Sequence, residues 1–194
     1  MLALNDVFAA ILVGGRGSRL GTVDKAQLKL SGSNETLFER LTRVLAPAVA
    51  EIVVVGRREQ SALYRDSPYR FVADQQSGAG PLAGLQAALR SAPVAWCFLV
   101  ACDMPKLDAS IVDYLAKQRE PNRAVVPRTT RGLEPTCALY PRSYVTHVDA
   151  ALVRGLRAVY TLLAQTDVIE VELPPDLEPK LRNINTAQDL RTQL

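Results

Sequence analysis

Short apolar runs alternate with amphipathic stretches along most of the 194-residue chain. The run at 52–55 is entirely β-branched and that at 7–13 is continuously apolar, which is typical of strands buried on both faces of a parallel sheet, whereas the alternation over 168–173 indicates a half-exposed strand. The runs predict strands over residues 7–13, 52–55, 70–73, 96–101, 124–126, 136–140 and 168–173, and a short extended piece over 27–30. The stretches between them predict helices over residues 37–45, 57–65, 81–89, 110–119, 144–152 and 156–164, with a last helix after Thr186.

This alternation of strands and helices determines the expected fold. Crossovers between parallel strands are right-handed, and they place helices on both faces of a sheet. The chain contains no internal repeat, no low-complexity tract and no convincing linker. We therefore expect an α/β fold with three layers, Rossmann-like with a mostly parallel sheet, formed by one domain over residues 1–194.

The first predicted helix has a clear start signal. Thr36 is suited to be its N-cap, and Glu39 stands three residues later, as in a capping box. Pro47 follows the last apolar residue of the helical pattern and ends the helix. Local chemistry therefore predicts both ends of this helix.

Composition and charge exclude several functional classes. No apolar run approaches the ~20 residues that a bilayer requires, and the N-terminus lacks the regions of a signal peptide. The net charge of +3 comes from basic residues that are scattered rather than gathered into a stripe, which disfavours nucleic-acid binding. We expect a cytoplasmic protein that binds neither nucleic acid nor a membrane.

The cysteines and the single histidine offer little chemistry. Cys97, Cys102 and Cys137 are odd in number and form no CxxC motif, so we expect reduced thiols, with Cys102 as a packing residue. His147 is the only histidine, so a histidine-rich metal site is excluded, and we expect it on a helix surface.

The glycine-rich segment after the first strand is the densest cluster of candidate chemistry. Its glycines and basic residues are Gly14, Gly15, Gly17, Gly21, Arg16, Arg19 and Lys25. Glycines allow backbone N–H groups to approach an anion, and basic side chains bind phosphate oxygens. The segment lacks GxxxxGK[ST], and its GxGxxxG spacing is one residue too long for the dinucleotide fingerprint. We interpret it as a cradle for a nucleoside triphosphate, with a simple tight connection as the alternative.

Two further loops should lie beside this segment, because ligands bind at the carboxyl ends of parallel strands. They cover residues 74–81 and 102–105. Asp103 follows an uncharged strand and is a candidate ligand for Mg²⁺, which binds one or two carboxylates together with phosphate oxygens. Its alternative role is a helix N-cap, for which Asp108 is better placed. Asp74 could bind a ribose or a metal-bound water, or cap a turn.

Several motifs, in order along the chain, resemble those of the nucleotidyltransferases of the GT-A-like superfamily and, more closely, of the molybdenum cofactor guanylyltransferases. They are LVGG at 12–15, RLG at 19–21, DK at 24–25, GPLAG at 80–84, CDMP at 102–105, EPT at 134–136 and NINT at 183–186. The similarity extends over nearly the whole chain. The GPLAG and EPT motifs distinguish this branch from the cytidylyl and sugar-phosphate branches.

The resemblance implies a fold of the nucleotide-diphospho-sugar transferase type and an Mg²⁺-dependent enzyme. It implies transfer of GMP from GTP to molybdopterin carrying molybdenum, with release of pyrophosphate. Other cofactor-biosynthesis proteins and acceptor molybdoenzymes are the further partners that it implies, and we expect a monomer.

The resemblance also assigns roles to individual residues. Nucleotide binding falls to Leu12, Val13, Gly14, Gly15, Lys25, Asp74, Gly80 and Asp103. Catalysis falls to Arg19, Lys25 and Asp103, with Gly15, Arg19 and Lys25 facing the phosphates and Asp103 holding Mg²⁺. Asn183 and Asn185 are placed near the second substrate or the metal.

One position departs from the family pattern. Members often carry asparagine near the end of the second strand, where this chain has Val55, Gly56 and Arg57. Base selectivity is therefore the part of the assignment that the sequence determines least. The alternatives are a transferase that uses CTP or UTP with a cofactor or sugar phosphate, and a regulatory protein that binds a nucleotide without turnover.

Overall fold

The apolar run that precedes the glycine-rich segment forms an interior strand of the sheet. A computed structural model describes residues 3–14, 24–29, 32–74 and 80–184. The strands in this part of the chain are β1 (Leu4–Leu12), β2 (Val49–Gly56), β3 (Arg70–Ala73), β4 (Trp96–Ala101), β5 (Ala124–Thr129), β6 (Gly132–Leu133), β7 (Cys137–Pro141) and β8 (Val168–Glu172). They form one sheet in the order β3-β2-β1-β4-β7-β5-β6, with β8 paired to β5.

Helices cover both faces of this sheet. They are α1 (Leu37–Leu45), α2 (Gly80–Arg90), α3 (Ala109–Ala116), α4 (Val145–Val153) and α5 (Val159–Leu163). Short 3-10 helices cover Lys25–Gln27, Arg58–Tyr64, Arg142–Tyr144 and Glu178–Leu181. No helix within the described ranges is long and apolar enough to cross a membrane.

Alternate residues of β1 belong to two separate cores. Ala9 and Ile11 pack in one core with apolar residues of α1 and α3. Phe8 and Ala10 pack in the other core with apolar residues of α2, α4 and α5. Because all four side chains are fully buried, a continuous apolar run rather than an alternating one encodes this strand. The predicted three-layer α/β architecture is confirmed.

The strand directions place several loops at one edge of the sheet. Strands β3, β2, β1 and β4 are parallel, so their carboxyl ends meet. Strand β7 runs antiparallel to β4 and to β5, and it therefore brings its first residues to the same edge. The sheet is mostly parallel, as predicted, with β7 as an antiparallel strand inside it.

The predicted elements agree with the structure at most positions and differ at a few. Residues 70–73 and 96–101 form strands with the predicted bounds, and His147 is exposed on α4, as expected. Gln27 was predicted to be extended, but it ends a 3-10 turn because the Asp24 side chain accepts a hydrogen bond from Ala26 N. The helix predicted over 156–164 begins only at Val159, after Gly155 with φ 81°. The predicted final helix lies outside the described residues.

The capping box at the start of α1 is present and makes a measurable prediction. Thr36 Oγ1 accepts from Glu39 N at 3.1 Å, and Thr36 N donates to Glu39 Oε2 at 2.7 Å. Thr36→Ala should lower the free energy of unfolding in urea by about 1 kcal/mol, because it leaves an N-terminal N–H group without its acceptor. Thr36→Ser retains the acceptor and should stay close to wild type. Equal losses in both variants would contradict the capping role.

Candidate active site

A cleft of about 420 Å³ lies at the carboxyl ends of β1, β2 and β4. This volume is in the range of small-molecule sites. The cleft is lined by predicted site residues Leu12, Gly14, Lys25, Asp74, Gly80 and Asp103. The three loops that the topology was expected to bring together therefore meet here. Gly15, Arg19 and Asn185 lie outside the described residues.

Lys25 and Asp103 form an ion pair in this cleft. Lys25 Nζ lies 3.2 Å from Asp103 Oδ2, and it also donates to the carbonyl oxygen of Ile184 at 3.1 Å. The two side chains are only 15% and 16% exposed. Because less water surrounds them than at an open surface, each charge acts more strongly on its neighbours and on an incoming ligand.

The second carboxylate oxygen of Asp103 is available to a ligand. Asp103 Oδ1 is buried and has no hydrogen-bond partner among the described residues. A buried, unpaired carboxylate oxygen is unfavourable, so a cation or a donor that binds there is stabilised. Among the described residues no group of three or more His, Cys, Asp or Glu side chains forms a metal cluster. A single carboxylate fits Mg²⁺, which takes most of its other ligands from phosphate and water.

Local structure explains why Asp103 is placed at the cleft. Strand β4 ends at Ala101, and Cys102 N then donates to the Leu12 carbonyl at 3.2 Å. Cys102 is buried and burial raises the pKa of its thiol, so its expected packing role is confirmed. The N-cap of α3 is Asp108, which accepts from Ser110 N at 3.0 Å. Asp103 therefore does not cap α3, and that alternative is wrong.

The segment near the end of the described chain contacts the same pair. Ile184 N donates to the Asp103 carbonyl at 2.8 Å, while the Ile184 carbonyl accepts from Lys25. Next to it, Asn183 Oδ1 is buried without a hydrogen-bond partner in the part of the chain that the structure describes. Asn183 thus immediately precedes the residue whose backbone hydrogen-bonds to both Lys25 and Asp103.

The start of α2 forms one wall of the cleft. Gly80 has φ 70°, and a Cβ at this position would lie 2.8 Å from the Arg157 carbonyl, so glycine is required. At Gly84 a Cβ would lie 2.7 Å from Leu12 Cδ2, which shows how closely α2 packs against the end of β1. The GPLAG motif therefore encodes a tight contact between helix and strand at the ligand-binding edge.

Asp74 follows β3 on the opposite wall. Its N–H donates to the Gly56 carbonyl at 2.8 Å. Burial raises the pKa of its carboxyl, and the nearby Arg57 guanidinium opposes part of this shift. Arg57 Nη1 in turn donates to the Gly14 carbonyl at 3.0 Å. The structure leaves open which of the three predicted roles Asp74 performs.

The raised pKa of Asp74 makes a prediction for stability. As pH rises from the pKa of the unfolded state to the higher pKa of the folded state, the unfolded state loses this proton while the folded state keeps it. The free energy of unfolding therefore falls across this interval and stays lowered above it. Asp74→Asn carries no charge and avoids this cost. The difference in Tm between Asp74→Asn and wild type should therefore grow in favour of the variant from about pH 4 to about pH 7. A difference that stays constant over this range would contradict the burial effect.

Some cleft residues had no assigned role in the sequence. Arg57 lines the cleft together with Val55 and Gly56, the three residues that depart from the family pattern, but no role was assigned to it. Thr136 also lines it, because the antiparallel β7 begins at this edge and Ala101 N donates to the Thr136 carbonyl at 2.9 Å. The EPT motif was the signal for Thr136. Gln60, which bonds to residues at the cleft, lies in a polar stretch that gave no signal.

Comparisons with known proteins identify the family of this chain. A model of the family described as MobA-like NTP transferase domain matches residues 9–168. The chain is 38% identical to the probable molybdenum cofactor guanylyltransferase of Opitutus terrae, over 93% of this chain and 91% of that protein. It is 32% identical to the protein of the same name from Methanosarcina acetivorans, over 96% and 89%.

A solved structure agrees as well. The molybdopterin-guanine dinucleotide biosynthesis protein A of Archaeoglobus fulgidus is 29% identical to this chain and superposes with a TM-score of 0.79 over 95% of each chain. The predicted resemblance and the predicted nucleotidyltransferase class are confirmed. The chain belongs to the MobA-like NTP transferase domain family.

Proposed function

We propose that this protein transfers GMP from GTP to molybdopterin carrying molybdenum and releases pyrophosphate. The observation that carries the proposal is the Lys25–Asp103 pair in a cleft of nucleotide-binding size. The names of the relatives, which describe guanylyltransferases of the molybdenum cofactor, support it. We further propose that residues 1–194 form one domain that acts as a monomer in the cytoplasm and meets other cofactor-biosynthesis proteins and acceptor molybdoenzymes.

The reaction exchanges one phosphorus–oxygen bond for another. The phosphate monoester of the acceptor attacks the α-phosphorus of GTP, and the bond from that phosphorus to the oxygen it shares with the β-phosphorus breaks. The electron pair of this bond leaves with pyrophosphate. Because a phosphate monoester is already anionic near neutral pH, the enzyme needs no strong general base. A chain with a single histidine, exposed on α4, can therefore perform this reaction.

Positive charge in the cleft lowers the barrier to this exchange. The attacking group and GTP repel each other, and the departing pyrophosphate gains negative charge. Lys25 stabilises that charge from a position fixed by Asp103 and the Ile184 carbonyl. We assign a second positive charge to Arg19 and phosphate contacts to the Gly15 backbone.

Asp103 would hold Mg²⁺ through the carboxylate oxygen that lacks a partner among the described residues. When bound, Mg²⁺ supplies charge neutralisation to the phosphate oxygens of the nucleotide. The chain itself contributes the position of the carboxylate, which the Asp103 carbonyl fixes by accepting from Ile184 N. Removal of Mg²⁺ by a chelator should accordingly abolish pyrophosphate release.

The nucleoside would lie between β1, β3 and α2. We assign it to the backbone of Leu12–Gly14, to Gly80 and to Asp74, with Asp74 close to the ribose. The carbonyls of Val13 and Gly14 already accept hydrogen bonds from Gln60 and Arg57, so their orientation is fixed before the nucleotide binds. Asn183 and Asn185 would contact the second substrate or the metal-bound phosphates.

An assay with the purified protein tests the proposal. Pyrophosphate release is measured with Mg²⁺ and each of GTP, ATP, CTP and UTP, with and without molybdopterin carrying molybdenum. Release that requires both GTP and the acceptor is the expected result. A preference for CTP or UTP would indicate another nucleotidyltransferase, and GTP binding without release would indicate a regulatory protein. Either result would overturn the proposal.

A further inference from the structure

Gln60 is a buried polar side chain whose bond to the Val13 carbonyl, already assigned to the nucleoside site, is one of three hydrogen bonds. It lies in the 3-10 helix Arg58–Tyr64 after β2 and is 5% exposed. Its Nε2 donates to the Val13 carbonyl at 2.9 Å and to Asp24 Oδ2 at 2.6 Å, and its Oε1 accepts from Arg57 N at 2.9 Å. Both donor hydrogens and the acceptor oxygen of the amide are therefore used.

The two residues that accept hydrogen bonds from Gln60 Nε2, Val13 and Asp24, lie at the two ends of the glycine-rich segment. The Val13 carbonyl is at the end of β1, and Asp24 is the residue that begins the turn with Lys25. The other oxygen of Asp24, Oδ1, accepts from Ala26 N at 3.0 Å and so caps the 3-10 turn Lys25–Gln27. Gln60 thus connects the end of β1 to the turn that contains Lys25.

This connection continues to the ion pair in the cleft. Lys25 is the first residue of the turn, and its ammonium group reaches Asp103 at 3.2 Å. Gln60 itself is not among the residues that line the cleft, so it acts on the site through its partners. One route runs through Asp24 to Lys25, and the other runs through its bond to Arg57 N. A change of Gln60 alters the cleft only by moving groups that line it.

We infer that Gln60 is a positioning residue that holds Asp24 and thereby sets the place of the Lys25 ammonium group in the cleft. The amide suits this task because it satisfies a strand carbonyl and a carboxylate at the same time, which a hydrophobic residue cannot do. The inference rests on the proposed function where it concerns turnover, but the position of Lys25 can be measured without substrate.

A second glutamine provides a matched control for a purely structural role. Gln86 on α2 is 7% exposed, and its Nε2 donates to Asp149 Oδ1 at 2.6 Å. It is also buried and also donates to an aspartate, but neither Gln86 nor Asp149 lines the cleft. Gln60→Leu removes three hydrogen bonds of a buried amide and Gln86→Leu removes one, and only Gln60 bonds to the residue that caps the turn of Lys25.

The first measurement compares turnover of these two variants with wild type. Gln60→Leu should lower kcat on the order of 10²-fold, the cost of a misplaced catalytic group, with a smaller rise in the KM for GTP because the Val13 carbonyl also loses its donor. Gln86→Leu should keep kcat close to wild type while its Tm falls. Equal kcat for the two variants, or a Gln60→Leu effect on KM alone, would overturn the inference.

The second measurement reads the position of Lys25 without any substrate. Trinitrobenzenesulfonate modifies exposed amines, and mass spectrometry of peptides gives the modification rate at each lysine. Gln60→Leu should speed the modification of Lys25 relative to Lys106, whereas Gln86→Leu should not. An unchanged Lys25 rate would overturn the inference even in an active enzyme. Failure of wild type to turn over GTP would overturn the proposed function and leave this result intact.

A second variant covers the case in which Gln60→Leu does not fold. Gln60→Glu keeps the size of the side chain, but at neutral pH it places a carboxylate next to the carboxylate of Asp24. Arg57 and the Tyr64 hydroxyl are further ionisable groups nearby. Protonation of the introduced carboxyl restores one donor. The ratio of its kcat to that of wild type should rise as pH falls from about 8 to about 6, and a ratio independent of pH would overturn the inference.

Discussion

Replacing Lys25 by alanine should lower kcat for pyrophosphate release by about 10²-fold or more, the cost of losing a charged group that stabilises a transition state. The Lys25 side chain is only 15% exposed and points to the same cleft as Asp103. In such surroundings its charge acts on the departing pyrophosphate more strongly than it would in water. Initial rates with GTP, Mg²⁺ and acceptor, compared with wild type, check the prediction.

Another lysine separates this effect from the loss of an ion pair. Lys180 Nζ lies 2.7 Å from Asp108 Oδ2, and this pair does not line the cleft. The turn that carries Lys180 is also held by hydrogen bonds from Thr130 to Glu178, so Lys180→Ala should keep kcat within about twofold of wild type. Rates must be compared where both variants are folded, because Lys25→Ala leaves the Asp103 carboxylate without its cation. Similar losses in both variants would contradict the role of Lys25.

Much of the fold could be predicted because its inner strands contain continuous apolar runs. The bounds of β4 follow from such a run, which ends where polar residues begin. The direction of β7 could not be predicted in this way. A strand buried on both faces has the same apolar pattern whether it runs parallel or antiparallel. That direction decides whether Thr136 lies at the cleft or at the opposite edge of the sheet.

The candidate site was predictable where a topological rule applies. Lys25 and Asp103 are 78 residues apart, yet both follow strands whose carboxyl ends meet, so their proximity could be inferred. Hydrogen bonds that depend on the packing of irregular segments could not be inferred in this way. The bond from Lys25 to the Ile184 carbonyl spans 159 residues, and the bond from Gln60 to Asp24 spans 36. No periodicity in the sequence predicts either bond.

The turn at Lys25 shows why local pattern was insufficient. Alternating apolar residues after Lys25 indicated an extended piece, but the Asp24 side chain stabilises a 3-10 turn by capping Ala26 N. The other oxygen of Asp24 accepts from Gln60 Nε2 at 2.6 Å. The prediction of an extended piece over 27–30 was therefore wrong at Gln27, the last residue of the turn, whereas Leu28 is extended as predicted.

Replacing Asp103 by asparagine should lower kcat/KM by about 10²-fold or more and raise the Mg²⁺ concentration needed for half-maximal rate. The two side chains have nearly the same shape, so the fold should be retained while one negative charge is lost. Lys25 then lacks its anionic partner at 3.2 Å, and the buried Oδ1 position no longer belongs to a carboxylate. Mg²⁺ binds carboxylate oxygens in preference to amides. Rates measured over a series of Mg²⁺ concentrations check both effects.

Asp149→Asn is the matched control for this substitution. Asp149 on α4 also accepts from a basic side chain, Arg90 Nη2 at 3.1 Å, but it does not line the cleft. Its replacement should change neither kcat/KM nor the dependence on Mg²⁺. If Asp103→Asn lost activity while its Mg²⁺ dependence stayed that of wild type, Asp103 would act only by holding Lys25. If Asp103→Asn kept both the activity and the Mg²⁺ dependence of wild type, neither role assigned to Asp103 would stand. The cation would then have to be bound by groups outside the Lys25–Asp103 pair.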